Sequence, residues 1–529
     1  MESSKIFENL QNLGFYEYPV KSVKVLQTHI SFVALTGTHA YKIKKSVNFG
    51  FLDFSTLEKR KYYCEEELRL NKRLCPDIYL GVLPITQEDH TLKLNGKGTI
   101  VDYAVKMKEF PQDSIMTNLL RQGKITEKTI EEMCTLLVDF YQKDTRSAEI
   151  DSYGKLSAVK QNIDENFEQT QSVIDITIPK KTYDFLKDAN ARFFEKKKDV
   201  FDKRIHDGRI HDCHGDLHSG NIVVSNGRIY IFDCIEFNKR FRFCDVASDI
   251  GFLAMDLDYQ NQPFLSSYLI KRYNERSNDT GIFDVLNFYK SYRAYVRGKV
   301  IGFQLNDPHI QEEKKKEIIT TAKTYFDLSE YYASLFSLDL ALHKPFLFIV
   351  TGLTGTGKST VALKIAVDYH AHQINTDVVR KELAGMDQFE RHHDQFNTGL
   401  YDPKNIDGTY EKVMEKASGL LNKGENVVVD ATFQKKKYRD MAHKVAKENK
   451  AIYIMIRCVC PDIVVKKRLD ERVKQKSISD GRWEIYQHQK ETFEPFTSTE
   501  SFLEMDTSDD SSLYRKKFFT TLLRTILEA

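Results

Sequence analysis

Between Val23 and Lys44 apolar and polar positions alternate around Gly37, the two-residue period of antiparallel strands with one buried face. From Ser55 to Leu74 the alternation gives way to Glu, Lys, Arg and Leu without Gly or Pro. This predicts a helix that ends before Pro76. Strand-like alternation returns over 78–108, where Asn95-Gly96 has the sequence of a hairpin turn. Residues 114–206 read as mostly helical. Two short apolar runs, 222–224 and 229–232, then flank Asn226-Gly227, which predicts a hairpin inside a helical region. Helical patterns resume through Tyr332, and 341–345 reads as a linker ending in Pro345.

Beyond the linker the period changes again. Continuous apolar runs at 346–350, 427–429 and 452–456 alternate with helical stretches, the pattern of a parallel sheet covered on both faces. No repeat relates this part to the first, so two different folds are expected. At 529 residues the chain exceeds what one core supports, which also asks for at least two domains. Composition excludes classes rather than choosing one. With 41% hydrophobic and 29% charged residues the chain is neither disordered nor a membrane protein in composition. No uncharged apolar stretch approaches the roughly 18 residues needed to span a bilayer. The net charge of +2 provides no overall field toward nucleic acid or lipid. Eight scattered cysteines without a C-x-x-C pair, and a start that mixes charges among its apolar residues, lead to the expectation of a cytoplasmic protein with reduced thiols.

The chemistry concentrates in two places. Gly352, Thr354, Gly355, Thr356, Gly357, Lys358, Ser359 and Thr360 lie in a G-x-x-x-x-G-K-[ST] loop between an apolar strand and a helical run. Glycines there let backbone N–H groups approach phosphate oxygens, Lys358 would neutralise the β/γ-phosphates of ATP, and Ser359 would hold Mg²⁺. An ordinary Gly-rich turn is the bland alternative. Asp430 ends an apolar strand, where it can reach the same metal ion. Asp377 and Arg380 lie one helical turn apart, as a base for an acceptor hydroxyl with a steering cation, or as a helix cap with an exposed ion pair. Arg468, Arg472 and Arg482, with Lys466, Lys467 and Lys474, suggest a lid whose arginines reach the transferring phosphoryl, or simply a solvated basic face. Through the loop, Asp377-x-x-Arg380 and Asp430-Ala-Thr-Phe433, residues 345–529 resemble the P-loop kinases related to gluconate, adenylylsulfate and polynucleotide 5′-hydroxyl kinases.

In the first half, His214-Gly-Asp216-Leu-His-Ser-Gly-Asn221 has the H-x-D-x-x-x-x-N spacing of a kinase catalytic loop, and 229–233 follows as a strand ending in Asp233. Asp216 would orient or accept the acceptor proton. Asn221 and Asp233 would hold Mg²⁺, whose hardness favours amide and carboxylate oxygens. This segment resembles the aminoglycoside-phosphotransferase and choline-kinase superfamily. With 41–55 and the P-loop, the whole chain is similar to bacterial bifunctional aminoglycoside-phosphotransferase/ATP-binding proteins.

The resemblance implies an α+β two-lobed protein-kinase-like domain, with lobes at 1–110 and 111–340, followed by an α/β P-loop kinase domain at 345–529. It also implies a strand lysine for the nucleotide phosphates and a helix glutamate that holds it. Ala40-Tyr-Lys42 fits the first role, with Lys44 on the same strand face as a competitor, and Glu67 fits the second better than Glu65 or Glu66. No G-x-G-x-x-G lies over the nucleotide, and Asp233-Cys-Ile replaces the Asp-Phe-Gly triplet. By resemblance Asp245 braces the catalytic loop. Arg293 and Arg297, set among tyrosines, would belong to an amphipathic helix of the large lobe, or would bind an anionic or sugar substrate.

The expected activity is therefore ATP- and Mg²⁺-dependent transfer of phosphoryl to small-molecule hydroxyls in both halves. One alternative keeps one active kinase beside a nucleotide sensor. Another makes the P-loop half a polynucleotide kinase using Lys435-Lys-Lys-Tyr-Arg439, although near-neutral charge makes nucleic acid the weaker expectation.

Overall fold

The computed structural model describes residues 3–89, 91–143, 146–307, 310–387, 402–472 and 481–528. Lys474, one of the expected lid cations, lies outside them. The chain forms two compact units. The first comprises Met1–Gln171, Lys197–Gln260 and Arg272–Val296; the second comprises Ser172–Lys196, Asn261–Lys271 and Arg297–Ala529. The helices Lys180–Lys196 and Glu312–Ala341 thus fall in the unit that holds the P-loop.

In the first unit β1 (Lys24–Gln27), β2 (Ser31–Leu35), β3 (His39–Lys44), β4 (Tyr79–Glu88), β5 (Thr91–Leu94) and β6 (Thr99–Lys108) make one antiparallel sheet of order β1-β2-β3-β6-β4-β5. Tyr41 and Ile43 pack into one core with Ala34, Ile85 and Ala104. The two-residue period then sends Lys42 and Lys44 to the opposite face, toward the helix Leu57–Asn71 between β3 and β4. Thr56 caps that helix by accepting from the Lys59 amide at 3.3 Å.

One expectation needs correction. The hairpin turn joins β4 to β5 at Asp89 (φ +52°), whereas Asn95-Gly96 carries the chain from β5 to β6, which pairs with β4 and not with β5. The reason is length. The ten-residue β4 supplies two pairing edges, and β5 occupies the outer one with Leu92 and Leu94 buried.

The rest of this unit is mainly helical around two small ribbons. β7 (Ile210–Asp212) pairs with β10 (Phe243–Asp245), and β8 (Ile222–Ser225) pairs with β9 (Arg228–Ile231) across Asn226-Gly227. The helix Val246–Tyr259 is buried at every position from Val246 to Leu257 and forms the floor under the loop between β7 and β8.

In the second unit β11 (Phe346–Thr351), β12 (Ala371–Asn375), β13 (Asn426–Asp430), β14 (Ile452–Val459) and β15 (Leu503–Asp506) form a parallel sheet of order β12-β13-β11-β14-β15. All six residues of β11 are buried, as its continuous apolar run predicts. The register sets Val350 beside Asp430 and Asp430 beside Asn375, so the loop after β11 and the ends of β12 and β13 share the carboxyl edge of the sheet. Open α/β sheets bind ligands at that edge. Among the described residues no helix is long and apolar enough to cross a membrane.

Candidate active sites

In the first unit, Lys42 Nζ lies 2.9 Å from Glu67 and 2.5 Å from Asp233. Lys44 Nζ lies 2.7 Å from the other Glu67 oxygen and also pairs with Glu236. One buried carboxylate therefore holds two lysines, and their surroundings distinguish them. Lys44 is enclosed between Glu67 and Glu236, whereas Lys42 reaches Asp233, whose side chain is 42% exposed. Of the two, only Lys42 faces an open carboxylate.

Burial opposes the charges here, but the ion pairs win. Asp233 and Glu67 hold the Lys42 ammonium well above its ordinary range, and Lys42 and Lys44 pull Glu67 down to about 2. Burial instead pushes Glu236 up. Because the Glu67 value is depressed on folding, the stability it contributes is present above about pH 4.5 and is lost as pH falls toward 2. Glu67→Gln is expected to cost up to about 3 kcal/mol near neutrality. In denaturation series the gap to the parent protein should close below pH 4.

The catalytic-loop segment is held from below. Asp249 accepts from the His214 amide at 2.7 Å and the Gly215 amide at 2.9 Å. Asp256 accepts from the Ser219 amide at 2.8 Å. This corrects the role expected of Asp245, which caps the helix Val246–Tyr259 through the Ala247 amide and forms a buried pair with Arg204. A helical turn separates the two carboxylates, and Asp245 sits at the helix start, where its own backbone amides claim it.

Burial lowers the His214 pKa, consistent with a neutral ring whose Nε2 donates to the Phe232 carbonyl while Nδ1 accepts from the Asp216 amide. Asn221 Nδ2 donates to the Asp216 side chain at 3.0 Å and to its carbonyl at 3.0 Å. Asp233 takes φ +65°, a left-handed conformation rare for a residue with a Cβ, and Asn71 Oδ1 accepts from the next amide at 2.9 Å. Strain of this kind is kept where an aimed side chain matters.

In the second unit, Lys358 starts the helix Lys358–Asp368 and donates to the Leu353 carbonyl at 2.9 Å. Burial lowers its pKa against the opposing pull of Asp430. Asp430, raised by burial, is bonded by Ser359 and by Asn375 Nδ2 at 2.7 Å. Gly352, Gly355 and Gly357 all have positive φ. At Gly352 (φ +146°) a Cβ would come within 2.5 Å of the Cys458 carbonyl oxygen. Gly352→Ala is therefore expected to destabilise the second unit by about 1–3 kcal/mol and to weaken nucleotide binding, measurable by thermal unfolding with and without nucleotide.

Thr356 bonds back to Leu353, the Thr354 amide donates to Gln489 Oε1 at 2.8 Å, and Thr360 lies exposed in the first helical turn. Asp377 pairs with Arg380 at 2.7 Å. The cap of their helix is Asn375, which accepts from the Asp377 amide at 2.8 Å. The helices Asp462–Arg472 and Trp483–Thr492 pack on the loop through Val465, Leu469, Tyr486 and Leu353. Arg472 faces Asp377 and Asp430, and burial lowers its pKa. Arg468 is instead tied to Thr507 at 2.9 Å and 2.7 Å. Thr507 itself donates to the Thr356 carbonyl. The run at 435–439 is not a free basic patch. Arg439 is buried against Glu500, Lys436 pairs with Asp440, and Lys437 pairs with Asp407.

Sequence reasoning did not single out Asn375, Glu236, Asp256, Gln489 or Thr507. Asn375, immediately before Thr-Asp at a strand end, carried a readable capping signal. The others carried none, because each acts on residues distant in sequence.

Residues 347–496 match the family model of an AAA domain. Over 450 residues the chain is 28% identical to the uncharacterized protein Rv2004c of Mycobacterium tuberculosis, covering 85% of this chain and 86% of that protein. A choline/ethanolamine kinase family protein from Mesorhizobium loti aligns over 62% of this chain and 99% of its own at 10% identity and TM-score 0.37. A gluconokinase from Sinorhizobium meliloti aligns over 35% and 97% at 18% identity and TM-score 0.25. The Gly352–Ser359 loop and Asp430 thus lie within the segment that matches the AAA domain model.

Proposed function

We propose that the protein is a bifunctional ATP-dependent phosphotransferase in which domains at 1–340 and 345–529 each transfer the γ-phosphoryl of ATP to a hydroxyl of a small molecule in the cytoplasm. The observation that carries the reading is that Lys42, Glu67 and Asp233 are joined within 2.9 Å in the same unit that pairs Asp216 with Asn221 at 3.0 Å. A second phosphate loop, with Lys358 beside Asp430, lies in the other unit.

In the first site Lys42 grips the nucleotide phosphates and Glu67 keeps its ammonium in place. Asp216 orients the acceptor hydroxyl and takes its proton as that oxygen bonds to the γ-phosphorus and the bond to ADP breaks. Asn221 and Asp233 would hold Mg²⁺, and Ser359 and Asp430 would hold it in the second site; both donor pairs are hard oxygens that fit the ion. When bound, the ion offsets phosphate charge. In the second site the amides from Gly352 to Thr360 and the Lys358 ammonium bind the phosphates, Arg472 closes over them from the lid while Arg468 anchors the lid helix to Thr507, and Asp377 receives the acceptor proton. Positioning and charge stabilisation supply most of the rate, since phosphoryl transfer asks little covalent chemistry of the protein.

The test is incubation of the full chain with ATP, magnesium and fractionated metabolite extract, with products read by mass. Metabolites gaining one phosphoryl group, in sets that disappear separately with Asp216→Asn and Lys358→Ala, are the expected result. ATP that neither binds nor is consumed would refute the reading.

A further inference from the structure

Asp216 meets two nitrogens at the same oxygen. Asn221 Nδ2 lies 3.0 Å from Asp216 Oδ2, and His218 Nε2 lies 3.4 Å from it. The tautomer of His218 follows from its other nitrogen. Nδ1 stands 3.1 Å from the Gly220 amide, which can only donate, so Nδ1 accepts and the ring carries its proton on Nε2, toward the carboxylate. The Nε2 contact is longer than an ideal hydrogen bond, as catalytic contacts often are until substrate draws them in.

The ring is seated firmly. The His218 side chain is 12% exposed and packs on Phe252, with ring centroids 5.6 Å apart, against the buried helix Val246–Tyr259. The adjoining Ser219 is tied to the same helix through Asp256 and to Thr117 through its hydroxyl at 2.7 Å. Gly220 completes the seat. A Cβ there would stand 2.8 Å from His218 Cε1, so the glycine provides room for the ring.

We propose that His218 is a positioning residue of the first site, acting through Asp216 by fixing the carboxylate that receives the acceptor proton. The inference rests on the kinase reading of the Asp216 loop. The terminal torsion of an aspartate side chain is broad and roughly two-fold, and each added donor on one oxygen narrows it. Phosphoryl transfer depends on orientation more than on the strength of the base, so a neutral donor that aims the carboxylate raises the rate. The competing role is capping alone, because Nδ1 also caps the short helical turn Ser219–Asn221.

Two substitutions separate these roles, since Asn and Gln each retain one half of the imidazole. His218→Asn keeps an acceptor near the Nδ1 position for the Gly220 amide and loses the reach to Asp216. His218→Gln keeps an N–H near the Nε2 position and loses the acceptor. Both are made in the full chain carrying Lys358→Ala, so that only the first site turns over. They are assayed with magnesium, ATP and the metabolite fractions, with products read by mass and stability by melting. His218→Asn is expected to lower kcat about tenfold, with KM for ATP and the melting temperature close to those of the Lys358→Ala parent. His218→Gln is expected to recover most of the rate while melting about 2–4 °C lower.

Capping alone gives the reverse order, with His218→Asn as active as the parent and His218→Gln impaired, and that result overturns the proposal. Equal losses in the two variants, or a loss in KM for ATP rather than in kcat, overturn it as well. Should His218→Asn fail to fold, Gly220→Ala decides. Its methyl group drives the ring from its seat and should lower kcat by a similar factor at unchanged KM, whereas full activity overturns the proposal. Transfer to no metabolite by the Lys358→Ala parent refutes the kinase reading itself and this inference with it. An active parent with an unimpaired His218→Asn variant refutes the positioning role alone.

Discussion

Asp216→Asn is expected to lower phosphoryl transfer by the first unit about 10²–10⁴-fold while leaving KM for ATP nearly unchanged. The split follows from the division of labour. The proposed phosphate grip is Lys42, held by Glu67 and Asp233, and none of these contacts involves Asp216. Asn in its place is isosteric and still able to meet Asn221, so the loop keeps its brace on Asp249 and the loss falls on proton transfer. Separate steady-state assays of the two activities provide the measurement. A matching fall in the P-loop activity, or a rise in KM for ATP as large as the fall in kcat, would contradict the assignment.

The second large effect is expected from Lys358→Ala, which should reduce transfer by the P-loop half about 10²–10³-fold, the scale seen when one charge-stabilising group is removed. It should also leave a signature in pH. Asp430 is buried, its pKa is already raised by desolvation, and Lys358 is the first of the groups pulling it back. Removing that cation raises the Asp430 pKa further. The carboxylate then stays protonated to higher pH, so the acid limb of the residual activity should move upward relative to the parent enzyme. A pH profile of the residual activity under saturating ATP checks the sign. An unmoved or lowered limb would show that Lys358 and Asp430 are not coupled as the geometry implies.

Much of both sites is local in sequence, and so it could be read there. The Gly352–Ser359 loop needs only consecutive residues, because its function lies in backbone amides that successive glycines expose. The His214-to-Asn221 segment likewise fits within one loop, and Asp233 ends the next strand. What stayed undecided was any choice between neighbours in the same local context. Lys42 and Lys44 both point from β3 to one face, and only the position of Glu236, nearly two hundred residues on, separates them. Asp245 and Asp249 flank one helical turn, and which of them meets the catalytic-loop amides depends on how the helix Val246–Tyr259 lies beneath that loop. Lid arginines pose the same problem: Arg468 and Arg472 differ by a single turn, yet one meets Thr507 and the other faces Asp377 and Asp430.

Alone, the sequence determined that two unlike folds follow each other and where the loop glycines and strand-end carboxylates lie, since period, loop glycines and strand-end carboxylates are properties of short segments. Tertiary structure decided which lysine faces an open carboxylate and which aspartate holds the His214–Asn221 segment. Those outcomes depend on burial and on partners far away along the chain. A side chain's charge balance is set by what surrounds it in space, and periodicity carries no record of that.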